Sequence, residues 1–130
     1  MLQRINLSDR PAPAQFAEAT LVPAGAALLV TGGQVGVDRH GVLATDIETQ
    51  TAVVWQNILL LLEAAGTTVE QVVQATAYLT DAAHIAAYRK VRAQLVPGLS
   101  APSTLLVVSG LANPGYLVEV EVSATVPAGA

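Results

Sequence analysis

Hydrophobic and polar positions change their spacing several times along the chain, and each change marks an element. Residues 16–21 and 27–31 are short β-prone runs that flank Pro23 and Gly25, the pattern of a hairpin. Gly32 and Gly33 stop the second run, and Asp38-Arg39-His40-Gly41 supplies a tight turn whose glycine can take a positive φ. A helical period follows. Thr45-Asp46-Ile47-Glu48 has capping-box spacing, which predicts a helix from Thr45 that closes at Gly66. Ile47, Val54, Ile58, Leu61 and Leu62 fall on its buried stripe. Val53, Trp55, Leu59 and Leu60 fall off it, so this helix is apolar over more than one face and contacts something besides its own sheet.

A helical turn over 68–71 leads into a run rich in β-branched and aromatic residues, 72–80, that reads as a strand. Asp81 caps a second helix over 82–95, with Ile85, Tyr88, Val91 and Leu95 inward and Arg89 and Arg92 on a neighbouring face. The loop 97–102 stops it. Two strands, 103–109 and 116–126, close the chain around a turn at 110–115. In the last strand Tyr116, Val118, Val120 and Val122 share one face, and Leu117, Glu119, Glu121 and Ser123 the other. The order strand, strand, helix, strand, helix, strand, strand predicts an α+β fold with both helices on one side of a sheet. Residues 1–15, with Pro11 and Pro13, form a leading arm with room for one short strand.

Composition adds an assembly to this picture. At 130 residues one core is expected, so the whole of 1–130 is read as one domain. The chain is 52% hydrophobic and only 12% charged, which leaves apolar surface that association would cover. A net charge of −4 disfavours nucleic acid as a partner, because polyanion binding is driven by clustered cations. Three of the six cations, Arg89, Lys90 and Arg92, do cluster, and they read first as a solvated helix face. With no cysteine, disulfides, zinc–thiolate sites and a cysteine nucleophile are excluded. Residues 1–20 carry Arg4, Asp9, Arg10 and two prolines, unlike a secretory signal. The apolar stretch 52–65 is too short for a bilayer and contains Gln56, Asn57 and Glu63. A soluble cytoplasmic protein without a membrane partner is expected.

Candidate chemistry is sparse. Glu119 and Glu121 lie on one strand face about 7 Å apart at ~3.3 Å rise per residue. That separation suits an inverting glycosidase pair, although alternating acids in a terminal strand read first as a solvated face. His40 and His84 have no acid or hydroxyl at a motif spacing, and no metal-ligand spacing occurs, so neither metal nor cofactor is expected. Gly32-Gly33 with Gly36 lacks the lysine and helix start of a phosphate loop.

Several segments in order carry a family resemblance over roughly residues 11–126. They are Val30-Thr31-Gly32-Gly33-Gln34-Val35; Asp46 to Thr51 with Asn57 and Leu62-Glu63-Ala64-Ala65-Gly66; Thr76-Ala77-Tyr78-Leu79-Thr80-Asp81; and Leu117-Val118-Glu119-Val120-Glu121-Val122. Together they resemble the RidA family, the YjgF-like or L-PSP-type proteins. The resemblance implies a chorismate-mutase-like sheet carrying two helices, a homotrimer with a barrel-like core, and small-molecule clefts between subunits. It implies, for the founding branch, hydrolysis of reactive enamines and imines to a keto acid and ammonia. There an arginine in a Pro-Ala-Arg-Ser motif holds the substrate carboxylate, for which a guanidinium fork is well shaped. The first glutamate of the terminal strand positions a water.

This chain departs from that pattern where the ligand would sit. Its segment reads Ser100-Ala101-Pro102-Ser103-Thr104, so Pro102 stands at the arginine position and has no N–H to donate. Phe16 replaces a tyrosine, Gly32 replaces a serine, and Arg89 falls near a helical asparagine; Glu119 is retained. The resemblance therefore implies a ligand site at Phe16, Gly32, Arg89, Pro102, Ser103 and Thr104, with Glu119 as the catalytic residue. Its substrate would be an altered, less anionic imine or enamine. A non-catalytic ligand-binding or regulatory trimer is the alternative, and ribonuclease activity fits the acidic chain poorly.

Overall fold

A computed structural model describes residues 2–7 and 16–128. The chain forms strands β1 (Gln3–Ile5), β2 (Ala19–Leu21), β3 (Ala27–Val30) and β4 (Gln34–Val35), then helix α1 (Ile47–Ala64). Strand β5 (Val72–Leu79), helix α2 (Ile85–Leu95), and strands β6 (Ser103–Val107) and β7 (Val118–Val126) complete it. The main sheet runs β3-β7-β5-β6, with β4 also on β7; β5 and β6 are parallel and the other pairs antiparallel. The expected α+β architecture is present. Both helices cover one face of this sheet, against the buried row Val118, Val120, Val122 and Ala124 of β7 and Ala75, Ala77 and Leu79 of β5.

The hairpin expected around Pro23 and Gly25 does not form. β2 pairs with β1 in a separate two-stranded ribbon, and β3 pairs with β7. Each partner has a physical reason. The Leu29 side of β3 meets Ala124 of β7 on the core face. Arg4 of β1 donates to Thr20 and to the carbonyls of Val72 (2.8 Å) and Glu70 (3.1 Å), which fastens the ribbon to the start of β5. Phe16 lies just before β2, and residues 8–15 of the leading arm fall outside the described residues.

The helix caps refine the sequence reading. α1 is capped by Asp46 instead of Thr45: the Asp46 carboxylate accepts the Thr49 N–H at 2.7 Å. That bond, reinforced by the Thr49 hydroxyl at 3.0 Å, holds Asp46 below the usual carboxylate range. Gly66 ends the helix at φ +78°, where glycine alone is unstrained. Along α1 the buried positions are Ile47, Gln50, Thr51, Val54, Trp55, Ile58 and Leu62, while Leu61 is exposed. Trp55, read as lying off the stripe, is fully buried beside α2, which is the second surface that the all-round apolar helix required. Asp81 caps a 3-10 turn, Ala82–His84, before α2 proper. The inward residues of α2 are Tyr88 and Arg92, and Val91 is half-buried.

The other face of the sheet carries no helix. Cross-strand register places Val35, Glu119, Tyr78 and Leu106 in one row across it, and Glu121, Thr76 and Thr104 in the next. Leu28 and Val30 extend this face, and Val30 is 70% exposed. No helix among the described residues is long and apolar enough to cross a membrane.

Candidate functional site

The helix-covered face opens into a cavity of about 380 Å³ beside the edge strand β6. Its floor is Ala75 and Ala77 of β5, whose single methyls leave room that a larger side chain would fill. Ser103, Thr104, Leu105 and Val107 of β6 form one wall. Ile85, Tyr88, Arg89 and Arg92, successive turns of α2, form the other, and Trp55, Leu99 and Phe16 close the ends. Phe16 is held there by the neighbouring Ala17 N–H, which donates to the Ser100 carbonyl at 2.9 Å. The Ser103 hydroxyl turns back to the Ala101 carbonyl at 3.2 Å.

Trp55, Tyr88 and Arg92 bring buried polar groups to this largely apolar space. The Trp55 indole N–H donates to the Tyr88 hydroxyl at 3.4 Å, and burial pushes the Tyr88 phenol up, so it stays neutral at ordinary pH. Arg92 is only 7% exposed, and its guanidinium stacks on the Phe16 ring with 4.6 Å to the centroid. Its Nη1 is buried with no hydrogen-bond partner, and among the described residues none that lines the cavity is acidic. Burial lowers the Arg92 pKa, and the nearby Arg89 charge adds to the lowering. Arginine remains charged even so.

A second group of polar residues stands on the open face. Glu119 is half-buried, opposite Val35 and Tyr78 in register. Gly33 abuts it: a Cβ at Gly33 would fall 1.9 Å from the Glu119 carboxylate, so a side chain there would have to push that carboxylate away. The Tyr78 hydroxyl donates to Glu121 at 3.0 Å, and this bond raises the Tyr78 pKa. Glu119 and Glu121 share one face, as their spacing requires.

Of the residues expected to bind ligand, Phe16, Arg89 and Ser103 come together at the cavity, and Thr104 borders it along β6 although its register puts it in the open-face row. Pro102 stands at its margin, before β6, where its carbonyl accepts the Ala75 N–H at 3.1 Å. Gly32 lies in the β3–β4 connection beside Gly33, away from the cavity, and a Cβ on it would meet nothing within 4 Å. The candidate site is therefore split between the two faces of the sheet. Sequence reasoning missed Arg92, Tyr88 and Trp55 as site residues. The signal for Arg92 was present, because Ile85, Tyr88 and Arg92 follow i, i+3, i+7 spacing and share the inward stripe. Among the described residues no group of three or more His, Asp or Glu side chains stands close enough to hold a metal.

Comparison with known proteins places these features in a wider set. The family described as Endoribonuclease L-PSP matches residues 8–126. A solved structure of YyfB, a protein of unknown function of the conserved Rid family from Yersinia pestis, is 28% identical with a TM-score of 0.84, over 96% of this chain and 98% of that one. YyfA from the same organism is 31% identical with a TM-score of 0.70, over 97% and 100% of the two chains. At the level of fold alone, Escherichia coli TdcF with bound serine matches at 22% identity and a TM-score of 0.73, over 96% of this chain and 99% of that one.

Proposed function

The chain belongs to the endoribonuclease L-PSP family, the YjgF or Rid proteins, and from that premise we propose that it binds a small imine- or enamine-type metabolite and hydrolyses it. The observation that carries this reading is the open, largely apolar cavity of about 380 Å³ between α2 and β6, a size suited to a small metabolite. TdcF, a protein of the same fold, holds a serine, itself a small metabolite.

The cavity and Glu119 face opposite sides of one sheet, so a site that uses both takes them from two copies of the chain. Symmetric self-association supplies this arrangement, and we assign it to a homotrimer. Leu28, Val30 and Leu106, respectively 50%, 70% and 44% exposed on the helix-free face, are the apolar surface available for it. In the assembled site the Glu119 carboxylate accepts a proton from water as the water adds to the C=N carbon. Glu119 returns that proton to nitrogen to give a carbinolamine; the carbinolamine hydroxyl then gives up its own proton to the leaving nitrogen as the C–N bond breaks, releasing ammonia and a carbonyl product. Pro102 offers no donor at the edge of β6, so the ligand is recognised differently from the short amino-acid-derived enamines of the founding branch.

The test uses an imine with an apolar side chain, generated from leucine by an amino-acid oxidase, with ammonia release followed over the uncatalysed rate. The protein is expected to accelerate release, and Glu119→Gln to remove about 10²-fold or more of the acceleration. An unchanged rate in Glu119→Gln would overturn the assigned role. Saturable binding without any acceleration would favour the second reading, a non-catalytic ligand-binding trimer, which the lack of an acid among the described residues lining the cavity of a single chain supports. Freshly generated 2-aminoacrylate is expected to be a poorer substrate; turnover equal to that of an arginine-bearing relative would contradict the part given to Pro102.

A further inference from the structure

A buried guanidinium is expected to have partners, because each unpaired N–H in a dry environment loses its bond to water and gains nothing in return. Arg92 departs from that rule. It is more than nine-tenths buried, its Nη1 has no acceptor, and among the described residues no carboxylate lines the cavity beside it. Arg89, one turn earlier on α2, lines the same cavity and adds a second positive charge. In an acidic chain of net charge −4, two of six cations thus converge on one apolar space.

The geometry around Arg92 says which part of it is free. The Phe16 ring covers a face of the guanidinium, at 4.6 Å from its carbon, and so fixes the plane of the group. Nη1, on the edge of that plane, is left without a partner, and an in-plane edge matches the two oxygens of a carboxylate. Around it stand Trp55, Leu99, Leu105 and Ala75, which suit a hydrocarbon body and would reject a second charge.

We propose that Arg92, stacked on Phe16 in the cavity, is the recognition group for the carboxylate of a small ligand whose remaining body is apolar. This rests on the reading of the cavity as a ligand site and names the substrate class for it. The cation that Pro102 removes from β6 is supplied from α2, across the cavity. Arg89, which the resemblance placed at the ligand site, is the other candidate for that role. The structure assigns it to Arg92, because Arg89 is exposed to water whereas Arg92 is not.

The experiment compares 4-methylpentanoate with its neutral isostere 4-methylpentanamide by calorimetric or NMR titration of the full chain. The acid is expected to bind at least about tenfold more tightly than the amide, as a charge-assisted bidentate pair requires. Arg92→Gln should abolish the difference by weakening the acid alone. Lys90→Gln, which removes a neighbouring cation that does not line the cavity, should preserve it. Equal binding of acid and amide by the unaltered protein would leave the cavity as a ligand site and overturn the inference. Binding of neither would overturn both. Retention of the acid preference in Arg92→Gln would also refute the inference. The comparison on the unaltered protein requires no variant to fold.

Discussion

Replacing Gln50 by leucine is expected to cost the fold about 3–5 kcal/mol, more than any surface substitution, because three backbone groups lose one buried side-chain partner together. Gln50 has no exposed surface. Its side-chain amide donates to the carbonyls of Ala44 and Gly115, each at 2.8 Å, and its Oε1 accepts the Leu117 N–H at 2.8 Å. Leucine occupies a similar volume and can satisfy none of them. Gly36 closes over the same side chain: a Cβ there would fall 2.6 Å from the Gln50 Cγ, so the glutamine is clamped where it makes these bonds. The residue ties the first turn of α1 to the entry of β7, the strand that carries Glu119. Urea unfolding should give a lower midpoint at an unchanged slope. A loss below about 1 kcal/mol would mean that water replaces the amide, and that the link is not structural.

The second large effect is expected at Trp55. Trp55→Ala should destabilise the protein by about 3–5 kcal/mol, the usual cost of truncating a large buried aromatic residue. Trp55 is fully buried, bonded through its indole N–H to the Tyr88 hydroxyl, and forms an end of the cavity. Truncation would merge the hole it leaves with the existing cavity, so little collapse can offset the loss. Trp55→Phe should recover more than half of that stability by refilling most of the space. A Trp55→Ala variant within about 1 kcal/mol of the parent would show that α2 can close onto α1, contradicting the packing described.

Much of this architecture was legible before the structure. Period-2 alternation assigned Val118, Val120 and Val122 to the core and Glu119 and Glu121 to the other face, because a strand admits only two orientations. The surplus of apolar positions on α1 anticipated a second packing partner, which is α2. Pairing of the first strands was not legible: Pro23 and Gly25 mark a turn but do not say whether the strands beside it join each other. Here the anchoring of Arg4 at Val72 and the core contact of Leu29 decide the matter, and both are long-range. The candidate site was half legible. Resemblance led to Phe16, Ser103, Thr104 and Glu119, yet sequence alone could not tell that a sheet separates Glu119 from the rest. Arg92 was passed over because an arginine in a cationic cluster reads as solvated, and its burial depends on how α2 rotates against β6.

The proposed site takes its cavity from one copy of the chain and Glu119 from another. The chain has no cysteine, so thiols can be placed without background. Val107→Cys marks the cavity wall and Glu119→Cys the open face; across one sheet the two thiols face opposite ways. Treated with a short bismaleimide, the doubly substituted protein is expected to run as covalently linked multimers on a denaturing gel, well beyond the linkage seen in either single variant. A doubly substituted protein that stays monomeric on that gel would contradict the composite site.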